Sequence, residues 1–520
     1  IEEIIQDEYP DVSVSLSSDI AEIIREYERT STTVINAYAV PVVREYLEFL
    51  EEELRSDGFA GELYMMASNG GVVGVETAKE EPIRLVGSGP AAGVLASQLV
   101  GQDAGREQLF AFDMGGTTAK GAIIEDGSIP MTYQTDVARE HRFKEGSGYD
   151  LVTPMIELTE IGAGGGSIAS INDVGLMEVG PESSGADPGP ICYGQGGDEP
   201  TVTDALLLLG FLDPETFFGG RMELTAEKTK RLFRDKLAEP TDQSLVEAAW
   251  STYEIVCENM STAFRQHASS KGIDPRSQSM VATGGAGPAH AYRVAEKVGI
   301  DEILCPAGAG VASSVGLMMA PRSYEVTSTN QSVLDTLSQA EITTEFEELL
   351  DEARSVLNQA GADEDALVVE ASLDMRHVDQ GEEMKIEFPE TDISDITPEL
   401  ATERFSETYR QRFDRDILDH PVEIINFRVN LRESEGSRDT RHFSTAETES
   451  SAPTRSRDVY FGREHGSVEA DVYNWTQLTE GDDVAGPSVV EADHTTVVIG
   501  PEWDATVAAN MDIHMERSEQ

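Results

Sequence analysis

Positive charge is the scarcest property of this chain. The 520 residues include 38 Lys and Arg against 97 Asp and Glu, for a formal net charge of −59, and nine of the 38 are lysines. Such a chain repels nucleic acid and anionic membranes over long range, so we expect neither as a partner. The acid is spread over the whole length. Dispersed acid with little lysine is typical of a halophilic protein, because salt screens the self-repulsion; a specific cationic partner is the alternative.

Cysteine and long apolar runs are scarce as well. Cys192, Cys257 and Cys305 are odd in number and far apart, which argues against a disulfide framework and against a paired-cysteine metal site. No stretch of about 18 apolar residues is free of charge, so the sequence predicts no membrane span. The N-terminal residues show no signal-peptide pattern. We therefore expect a cytoplasmic globular protein with several domains.

A glycine-containing hairpin is the first chemical motif. Leu109–Phe112 predicts a short strand that leads into Asp113-Met-Gly-Gly-Thr-Thr118, and residues 120–125 predict the returning strand. The two glycines allow a tight turn in which backbone N–H groups and hydroxyls can hold phosphate oxygens, while the carboxylate can hold Mg²⁺ directly or through water. An ordinary β-hairpin with a Gly-Gly turn is the structural alternative.

A second glycine-rich turn favours the phosphate interpretation. Ser279–Thr283 predicts a strand, and Gly284-Gly-Ala-Gly-Pro288 then opens a helix that runs through Val298. This turn is neither a GxGxxG fingerprint nor a Walker loop. It lies about 170 residues after the hairpin. The pair resembles the actin, sugar-kinase and heat-shock ATPase superfamily, in which such a hairpin contacts phosphate and a later GG turn contacts adenosine.

Further motifs resemble one family, the hydantoinase A / 5-oxoprolinase family. They are Ile161–Ala169 (IGAGGGSIA), Gly185–Gly194 (GADPGPICYG), Thr201–Asp204 (TVTD), Ser88–Val94 (SGPAAGV) and Gly310–Gly316 (GVASSVG). The resemblance covers essentially the whole chain and is strongest from Arg25 to Ala320. Each glycine run alone would also suit a structural loop, but the combination is specific.

The resemblance implies a role for each residue of the hairpin. Asp113 would hold Mg²⁺ or position a water, and it is the catalytic candidate together with Thr117. The expected phosphate-binding residues are Gly115, Gly116, Thr117 and Thr118. Lys120 would neutralise phosphate charge, or is simply a hairpin or surface lysine.

The resemblance also implies roles for two other glycine runs. Gly284, Gly285 and Gly287 would line the adenosine site. Gly164, Gly165 and Gly166 would form a second anion-binding or substrate-side loop, with pure architecture as an equal alternative. Many family members place Asp-x-His just before that loop, whereas this chain has Glu157-Leu-Thr159. A metal-binding role for that histidine therefore does not transfer.

The implied reaction uses ATP and Mg²⁺ to activate a carbonyl oxygen. Hydrolases of the family open a cyclic amide such as hydantoin or 5-oxoproline, and they work with a hydantoinase B-like subunit in a hetero-oligomer. Carboxylase relatives activate a ketone instead, and the stretch from His141 to Gly148 resembles that branch. A catalytically incomplete fragment or scaffold is a third interpretation, because the family carries an earlier DxGGT loop in an N-terminal lobe and this sequence contains one such motif, at Asp113.

The resulting expectation is an α/β protein with part of an actin-like, sugar-kinase-like ATPase fold, one lobe and part of the other. Residues 1–100 would complete the first lobe and its connecting helices, residues 101–327 would form the nucleotide-binding core, and residues 328–520 would form a β-rich α+β domain. We also expect ordered loops over residues 161–200, a helix cap at Asp204, a structural thiol at Cys192 and a packed imidazole at His290.

Overall fold

The computed structural model describes residues 2–10, 12–139, 146–389, 391–413, 420–434 and 452–518. His141, part of the stretch that resembles carboxylases, lies outside these residues. Over the described ranges, no helix combines the length and the hydrophobicity that crossing a membrane requires. The chain divides into two compact units, each assembled from three segments. One unit takes residues 1–91, 131–156 and 320–437, and the other takes residues 92–130, 157–319 and 438–520.

The described residues form helices of very different lengths. The α-helices are α1 (Glu2–Glu8), α2 (Ser17–Ile20), α3 (Glu26–Ser56), α4 (Val75–Glu80), α5 (Ser88–Asp103), α6 (Val202–Leu209), α7 (Ala226–Phe233), α8 (Leu245–Lys271), α9 (Gly287–Val298), α10 (Ala312–Met319), α11 (Gln339–Gln359), α12 (Pro398–Phe413) and α13 (Gly462–His465). Helix α8 begins with a capping box between Ser244 and Glu247, and it ends at Gly272 with a positive φ. These end signals are local in sequence, so the helix bounds follow from neighbouring residues.

Strands are short in the first half of the chain and include long strands after residue 320. They are β1 (Tyr64–Met66), β2 (Val72–Gly74), β3 (Leu109–Met114), β4 (Ala119–Ile124), β5 (Met131–Val137), β6 (Tyr149–Ile156), β7 (Thr159–Ile161), β8 (Ser167–Ile171), β9 (Met177–Ser183), β10 (Ser279–Thr283), β11 (Glu302–Cys305), β12 (Ser323–Val333), β13 (Leu367–His377), β14 (Met384–Glu387), β15 (Val422–Glu433), β16 (Arg455–Tyr460), β17 (Ser467–Asn474), β18 (Asp483–Ala485), β19 (Ser488–Glu491), β20 (Thr496–Ile499), β21 (Trp503–Val507) and β22 (Ile513–Arg517).

The second unit is built on an eight-stranded mixed sheet with the order β18-β21-β22-β11-β10-β3-β4-β7. Strand β10 runs parallel to β3 and β11, and β4 returns antiparallel to β3. Parallel strands end at the same sheet edge, so the turns after β3 and β10 are neighbours. The unit also contains the sheet β16-β17-β19-β20 and the hairpin β8-β9.

Aromatic packing fixes α8 against the central strands. The Phe264 ring lies 4.5 Å from the Phe110 ring and 5.7 Å from the Phe112 ring, measured between centroids. Gly121 on β4 makes this approach possible, because a Cβ there would lie 2.6 Å from Phe264 Cε1. Such edge-to-face contacts add stability beyond the buried area. The hairpin of β3 and β4 is therefore packed closely against α8.

The first unit has its own core and its own sheet, with the order β12-β15-β13-β14. Helix α11 covers this sheet, and its Phe346 packs edge-on against Phe427 of β15 with 5.3 Å between ring centroids. The hairpins β1-β2 and β5-β6 belong to the same unit. Helix α3 is one continuous helix through Pro41. Proline there removes one backbone bond without ending the helix.

Most predicted elements are confirmed, and one region is wrong. The strand at residue 109, its return strand, the strand at residue 279 and the helix after residue 286 are all present. Residues 161–200, expected as loops, instead contain the hairpin β8-β9. Its strands are short and its glycines conceal the two-residue periodicity, so the sequence pattern did not reveal it.

Candidate functional site

Asp113 stands near the end of β3, between two neighbouring strands. It pairs in register with Thr283 of β10 on one side and with Lys120 of β4 on the other. Burial raises the pKa of the Asp113 carboxyl, and the Lys120 charge opposes part of that rise. A cation bound beside this carboxylate would favour its ionised form.

The turn between β3 and β4 carries the predicted phosphate-binding residues. The amide of Gly115 donates to the Thr118 carbonyl at 3.1 Å, which closes the turn. Gly116 and Thr117 are exposed at its tip. Across the described ranges, the backbone amides of Gly116, Thr117 and Thr118 have no hydrogen-bond acceptor. Three successive uncommitted amides beside two hydroxyls form a suitable cradle for anionic oxygens.

The loop Gly164–Gly166 is hydrogen-bonded to the backbone of that turn. The amide of Gly165 donates to the Gly115 carbonyl at 3.0 Å, and the amide of Gly166 donates to the Gly116 carbonyl at 2.6 Å. The amide of Gly164 donates to Ser167 Oγ at 2.9 Å. All three amides therefore have protein acceptors. The geometry favours the architectural alternative, and anion binding by this loop stays a prediction.

The turn Gly284–Pro288 lies against the end of β3. Gly284 has a φ of 85°, and a Cβ there would overlap Asp113 Oδ1 and the Met114 carbonyl. The amide of Ala286 donates to the Met114 carbonyl at 3.0 Å. Gly287 is buried, whereas Gly285 is exposed. Gly284 and Gly287 thus let two backbones meet, and Gly285 presents a face without a side chain.

Helices α5 and α10 also lie beside Asp113, and the sequence analysis did not predict their position. A Cβ on Gly93 of α5 would lie 3.4 Å from Ser313 Oγ and 3.6 Å from Asp113 Oδ2. Helix α10, which carries Ser313, crosses α5 so closely that a Cβ on Gly316 would overlap the Ala92 carbonyl. The small residues of the two motifs SGPAAGV and GVASSVG were the available sequence signal. Their shared function is a close helix crossing beside Asp113.

Thr495 also contacts the turn Gly284–Pro288, from 211 residues beyond Gly284, and His494 lies against Gly310. Thr495 Oγ1 donates to the carbonyls of Gly284 and Gly285 at 3.3 and 3.4 Å. A Cβ on Gly310 would overlap the His494 carbonyl and lie 2.8 Å from His494 Cδ2. No local pattern could have predicted this contact, because it joins the residue before β20 to the turn after β10, and these two strands belong to different sheets.

Three other residues considered as site candidates have structural roles. Asp204, expected to cap α6, lies at its third position instead and forms a capping box with the N-cap residue Thr201; it also accepts the amides of Ile191 and Cys192 at 3.2 and 2.7 Å. Burial, and then the nearby Asp204, raise the pKa of the Cys192 thiol. Burial lowers the pKa of His290 to about 4, so its ring is neutral, and its Nδ1 lies 2.8 Å from the Ala286 carbonyl oxygen. Cys192 is therefore a poor nucleophile and His290 a poor base near neutral pH.

The site offers little to a metal ion beyond one carboxylate. Among the described residues, no group of three or more His, Cys, Asp or Glu side chains is arranged to hold a metal. This rules out a zinc-type cage over those ranges. Mg²⁺ commonly uses one or two carboxylates plus phosphate and water, and Asp113 suits that pattern.

Comparison with known proteins identifies the family. Residues 29–326 match the family model described as Hydantoinase/oxoprolinase, and residues 330–518 match the Hydantoinase/oxoprolinase C-terminal domain. The chain belongs to the hydantoinase/oxoprolinase family. Both the family and the predicted actin-like ATPase class with a C-terminal domain are thereby confirmed.

Three members of the hydantoinase/oxoprolinase family illustrate its range. An uncharacterized protein of Methanocaldococcus jannaschii is 35% identical over 99% of this chain and 74% of its own length. Caprolactamase subunit alpha of Pseudomonas jessenii is 30% identical over 95% of this chain and 70% of its own length. Acetophenone carboxylase gamma subunit of Aromatoleum aromaticum is 28% identical over 96% of this chain and 69% of its own length.

A solved structure shares this fold. The ATP-dependent caprolactamase of Pseudomonas jessenii superimposes with a TM-score of 0.81 and 28% identity, over 99% of this chain and 74% of the solved chain. The hairpin of β3 and β4 and the turn after β10 thus lie within a fold that this chain shares with the caprolactamase.

Proposed function

We propose that this chain is the ATP-binding subunit of an enzyme that hydrolyses a cyclic amide. The observation that carries the proposal is the hairpin turn, where three uncommitted amides and two threonine hydroxyls follow the strand that carries the half-buried Asp113 carboxylate. The family membership adds weight, because ATP-dependent caprolactamase acts on a cyclic amide by its name.

The residues present fit a nucleotide with Mg²⁺. The Gly116–Thr118 amides would bind phosphate oxygens, the Asp113 carboxylate would hold Mg²⁺ directly or through water, and Gly285 would face the adenosine. When bound, ATP would supply the phosphoryl group that activates the amide carbonyl. The chain's own contribution is positioning and electrostatics, which is how proteins accelerate phosphoryl transfer. Lys120 would moderate the charge of Asp113.

The partner is a hydantoinase B-like subunit, and together they form a hetero-oligomer. The naming of relatives as alpha and gamma subunits supports this part of the proposal. The dispersed acid, with a net charge of −59, supports a working environment of high salt inside the cell.

ATP turnover in molar KCl with Mg²⁺ tests the proposal. The chain and its partner subunit are supplied with hydantoin, 5-oxoproline or caprolactam, and release of ADP is measured. Asp113→Asn should lower kcat by at least about 100-fold, because it removes the charge that holds Mg²⁺. Asp198→Asn is the matched control, since Asp198 is an exposed carboxylate in the same unit. Equal losses in both variants, or none in Asp113→Asn, would sink the assignment.

A ketone carboxylase is the second candidate. It is favoured by the 28% identity with the acetophenone carboxylase gamma subunit. The same assay separates the two when acetophenone or acetone is offered with labelled bicarbonate. Label in an acid product assigns the carboxylase, and ring opening assigns the hydrolase.

A further inference from the structure

The half-buried Asp113 carboxylate has no hydrogen-bond donor in the described part of the chain. Burial raises its pKa and the Lys120 charge opposes that rise, but no hydrogen bond contributes. Its two oxygens face different neighbours. Oδ1 lies against Gly284, where a Cβ would overlap it, and Oδ2 lies 3.6 Å from the position that a Cβ on Gly93 would take. A carboxylate taken partly out of water without a donor calls for a partner that the chain itself does not supply.

A serine hydroxyl borders the same space from the opposite helix. Ser313 Oγ lies 3.4 Å from the Cβ position of Gly93. Apart from α5 itself, Ser313 Oγ and Asp113 Oδ2 are the only atoms of the described residues that this Cβ would meet within 4 Å. The Ser313 hydroxyl also makes no hydrogen bond within the described ranges. Two oxygens without protein partners therefore face one small space beside Gly93.

Packing of α5 against α10 does not require glycine at position 93. It does require glycine at position 316, because a Cβ there would overlap the Ala92 carbonyl. A Cβ on Gly93 would instead meet Ser313 and Asp113 at ordinary contact distances. Glycine inside a helix is less favourable than alanine. Since alanine would fit here and would favour the helix, the missing side chain indicates that the space has a use of its own.

The crossing of the two helices holds the serine in place. Ser313 and Gly316 are three residues apart on α10, so they lie on the same face of that helix. Gly316 lies against Ala92 and Ser313 lies beside Gly93, so both ends of this face contact α5. The position of the Ser313 hydroxyl relative to Asp113 is therefore set by backbone packing.

A water molecule suits this space, and a metal ion bound directly to both oxygens does not. The Cβ position of Gly93, 3.4 and 3.6 Å from the two oxygens, marks the space. Mg²⁺ binds its oxygen ligands at about 2.0–2.1 Å, whereas hydrogen bonds between oxygens are about 2.5–3.0 Å long. A water also has two hydrogens, one for each oxygen. The longer separations favour a water that donates to Asp113 and to Ser313.

The metal ion expected beside Asp113 needs such waters. Mg²⁺ usually keeps several waters and is bound through one or two carboxylates plus phosphate oxygens. Over the described ranges, no three metal-binding side chains come together. Most ligands of the ion would therefore be phosphate oxygens and water. Side chains that fix the ligands of a metal ion raise its affinity about 10- to 100-fold.

We propose that Asp113 Oδ2 and Ser313 Oγ hold one water molecule in the space beside Gly93, and that this water is a ligand of the Mg²⁺ bound with ATP. This inference rests on the proposed function, since it concerns the same site. It makes Ser313 a positioning residue, which acts on the metal through the water. It also means that Asp113 holds Mg²⁺ through water rather than directly.

Calorimetry of the purified chain with ATP tests the inference, once with Mg²⁺ and once with EDTA. Gly93→Ala fills the space and should lower the affinity for Mg·ATP by at least about ten-fold, and Ser313→Ala should lower it in the same direction. Neither change should alter the affinity for ATP in EDTA, because the amides of residues 116–118 do not depend on the water. Ser314→Ala is the matched control, since Ser314 is the next residue of α10 and is exposed. It should leave both affinities unchanged.

Urea unfolding without nucleotide separates the water from packing. Gly93→Ala should be at least as stable as the wild-type chain, because its Cβ fits and alanine favours the helix. Lower stability would overturn the inference, since packing would then explain the glycine. The double variant Gly93→Ala, Ser313→Ala should lose no more affinity for Mg·ATP than Gly93→Ala alone, because both changes act on the same water. Additive losses would overturn the shared water.

Failure of this inference is distinct from failure of the proposed function. A wild-type chain that binds no ATP under either condition overturns the proposed function. A wild-type chain that binds Mg·ATP more tightly than ATP in EDTA, with Gly93→Ala and Ser313→Ala unchanged, overturns the shared water alone. A crystal structure of the Mg·ATP complex in which Mg²⁺ bonds directly to Asp113 would overturn it as well, whereas a water in contact with Asp113, Ser313 and Mg²⁺ would support it.

Discussion

Gly164→Ala should displace the turn between β3 and β4, although the amide of Gly164 itself is bonded to Ser167 Oγ. A Cβ at this position would lie 2.6 Å from the Thr117 carbonyl carbon, 2.7 Å from the Thr117 nitrogen and 2.8 Å from the Gly116 carbonyl carbon. Ordinary carbon contacts are about 3.5 Å or more, so the tip of the turn must move by roughly 0.9 Å. All three obstructing atoms are backbone, and no side-chain rotation can relieve the overlap.

The displacement gives two measurable magnitudes. A shift approaching 1 Å in a positioned group can cost about 100-fold, so kcat/KM for ATP should fall by roughly 30- to 100-fold. Overpacking should also lower the free energy of unfolding by about 1–3 kcal/mol. Steady-state ATP turnover and urea unfolding on the same preparations measure both quantities.

The matched control is Gly381→Ala, since a Cβ there would meet no atom within 4 Å. It should change the free energy of unfolding by no more than about 0.5 kcal/mol and leave turnover unchanged. A Gly164→Ala protein with wild-type kcat/KM would refute the view that this loop sets the position of the hairpin. Lower stability with normal turnover would refute it as well, because the turn would not have moved.

Two further outcomes follow from burial. Gly121→Ala should cost about 1–3 kcal/mol in urea unfolding, since its Cβ would meet the Phe264 ring at 2.6 Å; a neutral result would contradict the tight packing of α8. Burial raises the pKa of Asp512 from 3.8 to about 7, so the folded state holds this proton more tightly than the unfolded chain. Stability should therefore fall between pH 4 and 7, by at most roughly 4 kcal/mol, and Asp512→Asn should flatten that slope. An unchanged slope would exclude Asp512 as its source.

Local patterns in the sequence predicted those parts of the site whose conformation depends on residues close together in the chain. The hairpin at Asp113 and the turn at Gly284 follow from a buried run, two adjacent glycines and a helix start, all within about ten residues each. Both elements appear in the structure where the sequence placed them. Their proximity came from the resemblance to a known superfamily rather than from periodicity.

The remaining parts of the site depend on pairing over long sequence distance. The contact of Gly165 with Gly115 joins residues 50 positions apart, and the contact of Thr495 with Gly284 joins residues 211 positions apart. Neither contact can be predicted from residue type, because glycine and threonine occur in many kinds of local structure. The hairpin β8-β9 also has a contact over long sequence distance, since Asn259 Nδ2 on α8 donates to the Val179 carbonyl of β9.

The strand order of the large sheet has a consequence for synthesis on the ribosome. Strand β22 pairs with β11, which in turn pairs with β10, the strand beside the hairpin at Asp113. A nascent chain that has reached residue 330 carries every glycine motif of the site and still lacks the strands that cover β11. The large sheet can therefore be completed only after residue 517 has left the exit tunnel, and until then the exposed edge of β11 needs protection from other chains.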